Sequence, residues 1–552
     1  MHKASLSYMK KNLLLFVMSM VSLFSAFAQQ GKLPLIQSTK FKKDSFNIMQ
    51  YGAKADGIFL NTTSINAAID ACSKKGGGIV VIPQGLWLTG PIELKSNVNL
   101  HLKQNAVLQF STDFTQYKIV STNWEGLPAA RNQSPISATN ASNIAITGSG
   151  IIDGNGDAWR SVKKDKLTES QWKKLISTGV VGEDKKTWYP SLSAQKGYQM
   201  EKAGVLMNGK TVADYQEIKD FLRPNLLVLT KCDRILLEGV TFQNSAAWCL
   251  HPLMSSNITV RNIQVKNPWY AQNGDGIDVE SCRNVLIEQS VFDVGDDGIC
   301  IKSGRDAEGR KRAMPTTDVI IRNCTVYHAH GGFVIGSEMS GGAKNIFVDN
   351  CTFIGTDIGL RFKTTRGRGG VVEDIYVNNV FMKDIAGEAI LFDMYYAAKD
   401  PVPLQGEKRE APKVEFKPVT EETPQFKNMF IKNVTCSGAE KAIFIRGLPE
   451  MNIHDISLEN VTITAKKGID CSEAKNIVFS NVTLNTPAEP VIEILNSSAL
   501  TFTNFKVVRD PAMLIRLSGE RTTGIKWVKS PQITASNSAV EFGATQNSII
   551  IQ

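Results

Sequence analysis

After residue 28 the chain contains no apolar run long enough for a membrane helix, which needs about 20 such residues. Its nine cysteines are odd in number and lack tight spacing, so they make a poor disulfide framework, and no interval between them resembles a zinc site. None lies near the candidate export-cleavage point, which argues against a lipid anchor there. Charge of one sign is not in large excess either. The formal net charge is +9 over 552 residues, of which Lys3, Lys10 and Lys11 contribute +3, leaving +6 on the rest. That balance favours an anionic partner mildly and is equally that of an ordinary soluble basic protein; no nucleic-acid partner is expected.

The N-terminus reads as an export signal. Lys10 and Lys11 precede an apolar run over residues 13–27, and Ala26-Phe27-Ala28 offers a small-residue cleavage site. The mature chain is expected in the periplasm or outside the cell, cut after Ala28 and without a membrane span.

What the sequence has in quantity is a repeat. One line of it runs from Asn or Asp through alternating apolar residues to another Asn: Asn257 to Asn262, Asp318 to Asn323, Asn345 to Asn350, Asn428 to Asn433, Asn476 to Asn481. A second line follows within each repeat: Gly276-Ile-Asp-Val-Glu-Ser281, Gly298-Ile-Cys-Ile-Lys-Ser303, Gly332-Phe-Val-Ile-Gly-Ser337 and Gly359-Leu-Arg-Phe-Lys-Thr364. The starting glycines are 22, 34 and 27 residues apart. Period-two alternation rich in Val, Ile, Phe and Thr argues strand, and two or three short strands per repeat make the coil of a parallel β-helix. The expected fold is therefore all-β: one solenoid domain over residues 29–552, of about ten coils. Asn61-Thr-Thr-Ser begins an amphipathic helix that would cap its open N-terminal end.

Register assigns the faces. With Ile277, Val279, Ile299, Ile301, Phe333, Ile335, Leu360 and Phe362 inward, Asp278, Glu280, Lys302, Arg361 and Lys363 point outward from the same sheet. Asp275, Asp297 and Gly331 share one register. Asp296 and His330 share the one before it, with Asp357 a coil further on. Neighbouring coils lie about 4.8 Å apart, so these groups cluster within Coulombic reach. His251 falls at an outward position on the preceding coil, level with Glu280, and is expected to touch substrate.

Other features have plainer readings. The Asn-x-Thr triplets at Asn323, Asn350, Asn433, Asn460 and Asn481 look like glycosylation sites but recur at one repeat position, which suits a stack of turn asparagines better. Cys324 and Cys351 occupy equivalent places on successive coils and read as small buried hydrophobes. Residues 157–225 and 395–426 interrupt the repeat. The first has helical patches at 167–176 and 213–221, and its Trp172, Trp188 and Tyr189 are placed to wall one end of a cleft. Trp269, Tyr270 and Gln272, just before the first acidic motif, would help shape a terminal subsite.

Four motifs in order, Asn273-Gly-Asp-Gly-Ile-Asp278, Gly295-Asp-Asp297, His330-Gly331 and Arg361-Phe-Lys363, resemble those of family-28 glycoside hydrolases, the polygalacturonases, and the likeness extends from Phe46 to about residue 500. The resemblance implies a right-handed, single-stranded parallel β-helix and hydrolysis of α-1,4-galacturonosidic bonds with inversion. It makes Asp296 the acid, has Asp275 and Asp297 hold and deprotonate the water, lets His330 support the acid, and gives Arg361 and Lys363 a galacturonate carboxylate to bind. Asn273, Lys302 and His251 complete the expected substrate contacts. It is closest to exo-acting bacterial members, with pectin or galacturonides as partner, a monomeric enzyme, no cofactor and no metal. Gly274, Gly298 and Ala329 depart from the residues common in the family, without removing a titratable group.

The chemistry stands on its own terms too. Glycoside hydrolysis needs one carboxyl group protonated and another ionised, with acid and base about 6.5–9.5 Å apart in an inverting enzyme. Crowded aspartates cannot all ionise cheaply, so one should hold its proton. Three alternatives remain open. A rhamnogalacturonan hydrolase would use the same site, a lyase would use calcium at Asp293, Asp296 and Asp297, and a non-catalytic binding solenoid would need no titratable cluster.

Overall fold

A computed structural model describes residues 33–398 and 413–552. The export signal lies outside these residues, as does most of the Pro-rich part of the 395–426 segment. Ile36–Gln552 forms one body. Among the described residues no helix is long and apolar enough to cross a membrane.

The alternating segments form strands that pair in parallel with the strand one coil away, giving a 36-stranded sheet wound into a right-handed parallel β-helix. One strip of this sheet runs from Ile92–Glu93 to Ser538–Glu541 and counts fourteen rungs among the described residues. That exceeds the ten coils expected, because the end coils depart from the motif of the central ones. Inside, like stacks on like: the Phe362 and Phe392 rings lie 4.4 Å apart, and those of Phe479 and Phe502 4.6 Å. All nine cysteines are buried and without a disulfide; Cys324 and Cys351 are small core fillers as expected, whereas Cys300 faces the other way, its Sγ 3.7 Å from Asp297 Oδ2.

The turn asparagines form a ladder. Asn350 donates to Asn323 at 2.7 Å, Asn460 to Asn433 at 3.0 Å, Asn481 to Asn460 at 3.0 Å and Asn504 to Asn481 at 2.8 Å. Each repeats a left-handed backbone, with φ between 50° and 55° from Asn323 to Asn504 in this set, a conformation asparagine tolerates better than most residues. The Asn-x-Thr triplets thus mark the ladder.

The capping helix spans Thr62–Lys74 and buries Ile65, Ala68, Ile69 and Cys72 against the first strands. Asn61 does not cap it with its side chain. Its carboxamide instead accepts from Lys54 N and donates to Lys54 O, Phe59 O and Leu88 O, fastening the loop that leads in.

Between Ile151–Asp153 and Leu227–Thr230 the insert folds into helices Glu169–Leu175 and Leu192–Gln199 and a 3-10 segment, Val212–Phe221. The first carries a Thr168/Gln171 capping box, matching the first expected patch, and the last matches the second. Leu192–Gln199 was not expected, since Gly197 weakens its helical signal. That glycine is required by packing: a Cβ there would meet the Phe221 side chain at 2.2 Å.

Candidate active site

Five consecutive rungs build the site: Leu250–Leu253, Ile277–Glu280, Asp297–Lys302, Gly331–Ile335 and Leu360–Lys363. Asp297 pairs in register with Gly331, and Ile277 with Ile299, which places Asp275 beside Asp297 and Asp296 beside His330. The nearest carboxylate oxygens of Asp275, Asp296 and Asp297 all lie within 4.8 Å of one another. Asp293 is not among them; it pairs with His328 at 2.9 Å on another face.

The three aspartates differ in surroundings. Asp297 is 1% exposed, with Lys363 Nζ 2.7 Å from Oδ2 and Arg361 Nη1 3.3 Å from Oδ1. Burial alone would raise its pKa, but Lys363, Arg361 and Lys302 outweigh it and hold the carboxyl well below the usual carboxylate range. Asp275 is 3% exposed and keeps a buried Oδ1 with no partner among the described residues. Burial, then the neighbouring Asp278 and Asp296, push its carboxyl well up. Asp296 is half-buried, its Oδ1 accepting from Asp297 N at 2.9 Å and lying 3.2 Å from His330 Nδ1. The His330 side chain is 48% exposed, with Asp357 3.7 Å from its other nitrogen, and the hydrogen bond to Asp296 raises its pKa.

Several residues expected at the cleft surface are interior. His251 is fully buried between Asn225 at 3.2 Å and Glu280 at 2.9 Å, so it is not a substrate contact. Its strand register also differs from expectation, for Leu253 is the residue level with Glu280. Lys302 is 4% exposed and committed to Glu338 at 2.9 Å and Asp278 at 3.6 Å, an internal counter-ion and not a substrate ligand. Asp278 is fully buried with neither oxygen hydrogen-bonded among the described residues; burial pushes its pKa up against the pull of Lys302. Lys363 is 5% exposed, its ammonium occupied by Asp297, while the Arg361 side chain keeps 17% of its surface open. Asn273 is half-buried, and its Oδ1 accepts from Arg223 at 2.8 Å.

The cover over these groups was not foreseen. A hairpin, Ile119–Trp124 with Leu127–Asn132, leaves the N-terminal coils and reaches the turn after Asp297–Lys302. Glu125 and Gly126 at its tip both have positive φ, 48° and 77°, as a two-residue hairpin turn requires. Arg305 N donates to Gly126 O at 3.2 Å, Arg305 also pairs with Glu125 at 3.2 Å, and a Cβ on Gly126 would meet Arg305 N at 2.5 Å. Trp124 stacks on Trp248 at 4.9 Å, and Trp248 meets His251 edge-on. The insert backs the hairpin: Ala130 N donates to Gly204 O, and Asn132 Nδ2 to Lys219 O and Leu222 O. Trp172 and Trp188, each 6% exposed, pack inside the insert and do not wall a cleft. Trp269 and Tyr270 remain exposed at 63% and 48%, with Lys166 of the insert 4.9 Å from the Trp269 ring.

A parallel β-helix presenting three clustered aspartates, a histidine and two cations on adjacent rungs is the architecture of a polysaccharide-cleaving enzyme. Residues 208–440 match the glycosyl hydrolases family 28, and residues 45–172 match a family described as rhamnogalacturonase A/epimerase, pectate lyase-like. An exopolygalacturonase from Thermotoga maritima has 31% sequence identity and a TM-score of 0.64, over 81% of this chain and 93% of that one. An exo-poly-alpha-D-galacturonosidase from Dickeya chrysanthemi is 29% identical over 79% of this chain and 71% of its own length. A family 28 exopolygalacturonase from Yersinia enterocolitica, at 24% identity and a TM-score of 0.64, shares the fold over 85% of this chain and 79% of its own. The chain belongs to glycosyl hydrolases family 28 and is a glycoside hydrolase acting on O-glycosyl bonds.

Proposed function

We propose that this protein is an exported, exo-acting polygalacturonase that removes galacturonate from chain ends of pectic polymers. The observation that carries this reading is the division of labour among three clustered carboxylates. Asp297 is held ionised by Lys363 and Arg361 and serves as the base that takes a proton from the attacking water. Asp275, beside it, holds that water. Asp296, the most open of the three and bonded to His330, delivers a proton to the leaving glycosidic oxygen, and His330 positions it there. Water adds from the side opposite the departing oxygen, so the anomeric centre inverts. Arg361, with open surface beside the aspartates, binds a uronate carboxylate, while Lys363 contributes by fixing the charge of Asp297.

Exo action is supported by the hairpin Ile119–Asn132, which covers the strip on the N-terminal side of the aspartates and leaves a blind end where an open cleft would continue. The test is a product profile on polygalacturonate without added calcium. Saturated monogalacturonate or another single short product from the first minutes is expected. A ladder of saturated oligomers would remove the exo assignment, and product absorbing near 235 nm would mark elimination and remove the hydrolase mechanism.

A further inference from the structure

A cavity of about 850 Å³ opens on the far side of the hairpin from the aspartates, a size typical of small-molecule sites. Its floor is the same outward face of the same strip, through Ser137, Val228, Thr230 and Leu253, on rungs just N-terminal to Ile277–Glu280. None of Asp275, Asp296 and Asp297 lines it, and the stacked Trp124–Trp248 pair stands between. Its walls are polar and positively charged: Lys118, Arg131, Lys231 and Lys311 against Glu93 and Glu308, with Arg312 in the lining already paired to Glu280 at 2.6 Å.

Arg131 is the telling group. It is 5% exposed, its guanidinium lies 3.7 Å from the Trp124 ring centre, and it hydrogen-bonds Arg223 O. Among the described residues it makes no ion pair. Buried cations are costly unless a counter-charge accompanies them. Burial and the neighbouring Arg223 draw its pKa down to about 9, the more distant Glu125 carboxylate opposing them only in part. Lys118, Lys231 and Lys311 stand exposed around the cavity, likewise without an ion pair among the described residues. Asn123, Asn132 and Asn225 in the wall each keep a buried Oδ1 without a partner, spare acceptors for hydroxyl donors.

We propose that this cavity is a second, non-catalytic binding site for an acidic saccharide, with the uronate carboxylate on Arg131 and the surrounding lysines. The choice of a uronate rests on the proposed function; the demand for an anion rests on Arg131 together with Lys118, Lys231 and Lys311 around it. The hairpin that blinds the catalytic groove thereby leaves its continuation as a separate receptor, suited to retaining a product or a neighbouring chain.

The experiment is calorimetric titration of the full protein with galacturonate, with galactose and inorganic phosphate as control ligands. Asp296→Asn is expected to retain a saturable galacturonate signal. Lys231→Glu, a surface change with little risk to folding, should weaken it about fivefold while leaving turnover of polygalacturonate unchanged. Arg131→Gln should weaken it tenfold or more, on the order of a charge-assisted hydrogen bond. A galacturonate signal untouched by Lys231→Glu and lost in Arg361→Ala would place all binding at the catalytic groove and overturn the proposal. Equal binding of galactose would remove the carboxylate anchor, and equal binding of phosphate would remove the saccharide. Turnover without a second site defeats this inference alone, whereas a second site without turnover of polygalacturonate defeats the functional reading alone.

Discussion

Lys363 Nζ lies 2.7 Å from Asp297 Oδ2, and both side chains are withdrawn from solvent. The lysine that sequence logic assigns to the substrate is thus spent on the base. Asp297, held below the ordinary carboxylate range, contributes stability that is fully present above its unfolded pKa of about 3.9 and is lost as pH falls through the folded value. Lys363→Ala should therefore shift the acid limb of the pH–rate profile to higher pH, since Asp297 would protonate sooner. Losing one of its two cationic partners, with Arg361 remaining, should also cost about 1.5–3 kcal/mol in a denaturant melt. An unmoved acid limb would exclude Asp297 as the group whose ionisation limits the rate.

Asp296→Asn should lower turnover by about 10²–10⁴-fold or more, the share a positioned acid contributes. Because Asp296 is half-buried and its amide would still reach Asp297 N and His330, the far-ultraviolet spectrum and melting temperature should barely change. Retained turnover would reassign the acid.

His330 titrates above its ordinary value through its bond to Asp296. Any stability it contributes is present below its unfolded pKa of about 6.5 and disappears as pH rises through the folded one. The same deprotonation should end activity on the alkaline side, and His330→Asn should alter that limb while sparing the acid limb. An identical alkaline limb in the variant would separate His330 from the proton transfer.

Replacing the hairpin tip, residues 121–130, with a short Gly-Ser turn should open the groove and change the earliest products from a single short species to a ladder of saturated oligomers. Chromatography of samples from the first few per cent of reaction distinguishes the two. An unchanged profile would move the exo determinant elsewhere in the fold.

Asn433→Ala tests the ladder far from the site. It removes the bond to Asn378 at 2.9 Å and that from Asn460 at 3.0 Å, and imposes φ of 55° on alanine. A loss of about 2 kcal/mol is expected in an equilibrium melt, with Michaelis parameters unaltered.

The repeat made the solenoid and the aspartate cluster legible, because period two fixes which side chains share a face and a parallel register fixes which lie side by side. Asp275 next to Asp297, and Asp296 next to His330 with Asp357 beyond, follow from that arithmetic and are found in the structure. Depth was not legible. Outward from a sheet does not mean exposed once another segment lies on it, and the covering hairpin joins residues remote in sequence. Hence His251 and Lys302, beside the Trp248 ring that stacks on the hairpin, and Lys363, beside Tyr396, have the expected face but not the expected accessibility. Trp124 and Arg131 belong to a two-strand excursion outside the repeat, so its period says nothing of them. The two positive-φ positions at Glu125–Gly126 were its local signal.

In most solenoids each coil leans only on its neighbours, so the ends can fray while the middle stays intact. The clasp of Gly126 and Glu125 on Arg305 bypasses the coils between and ties the entry of the solenoid directly to its catalytic rung. Melting from that end must therefore release the clasp before it can proceed far, which makes loss of the site an early event in the chain's unfolding and lets activity itself report the integrity of the N-terminal coils.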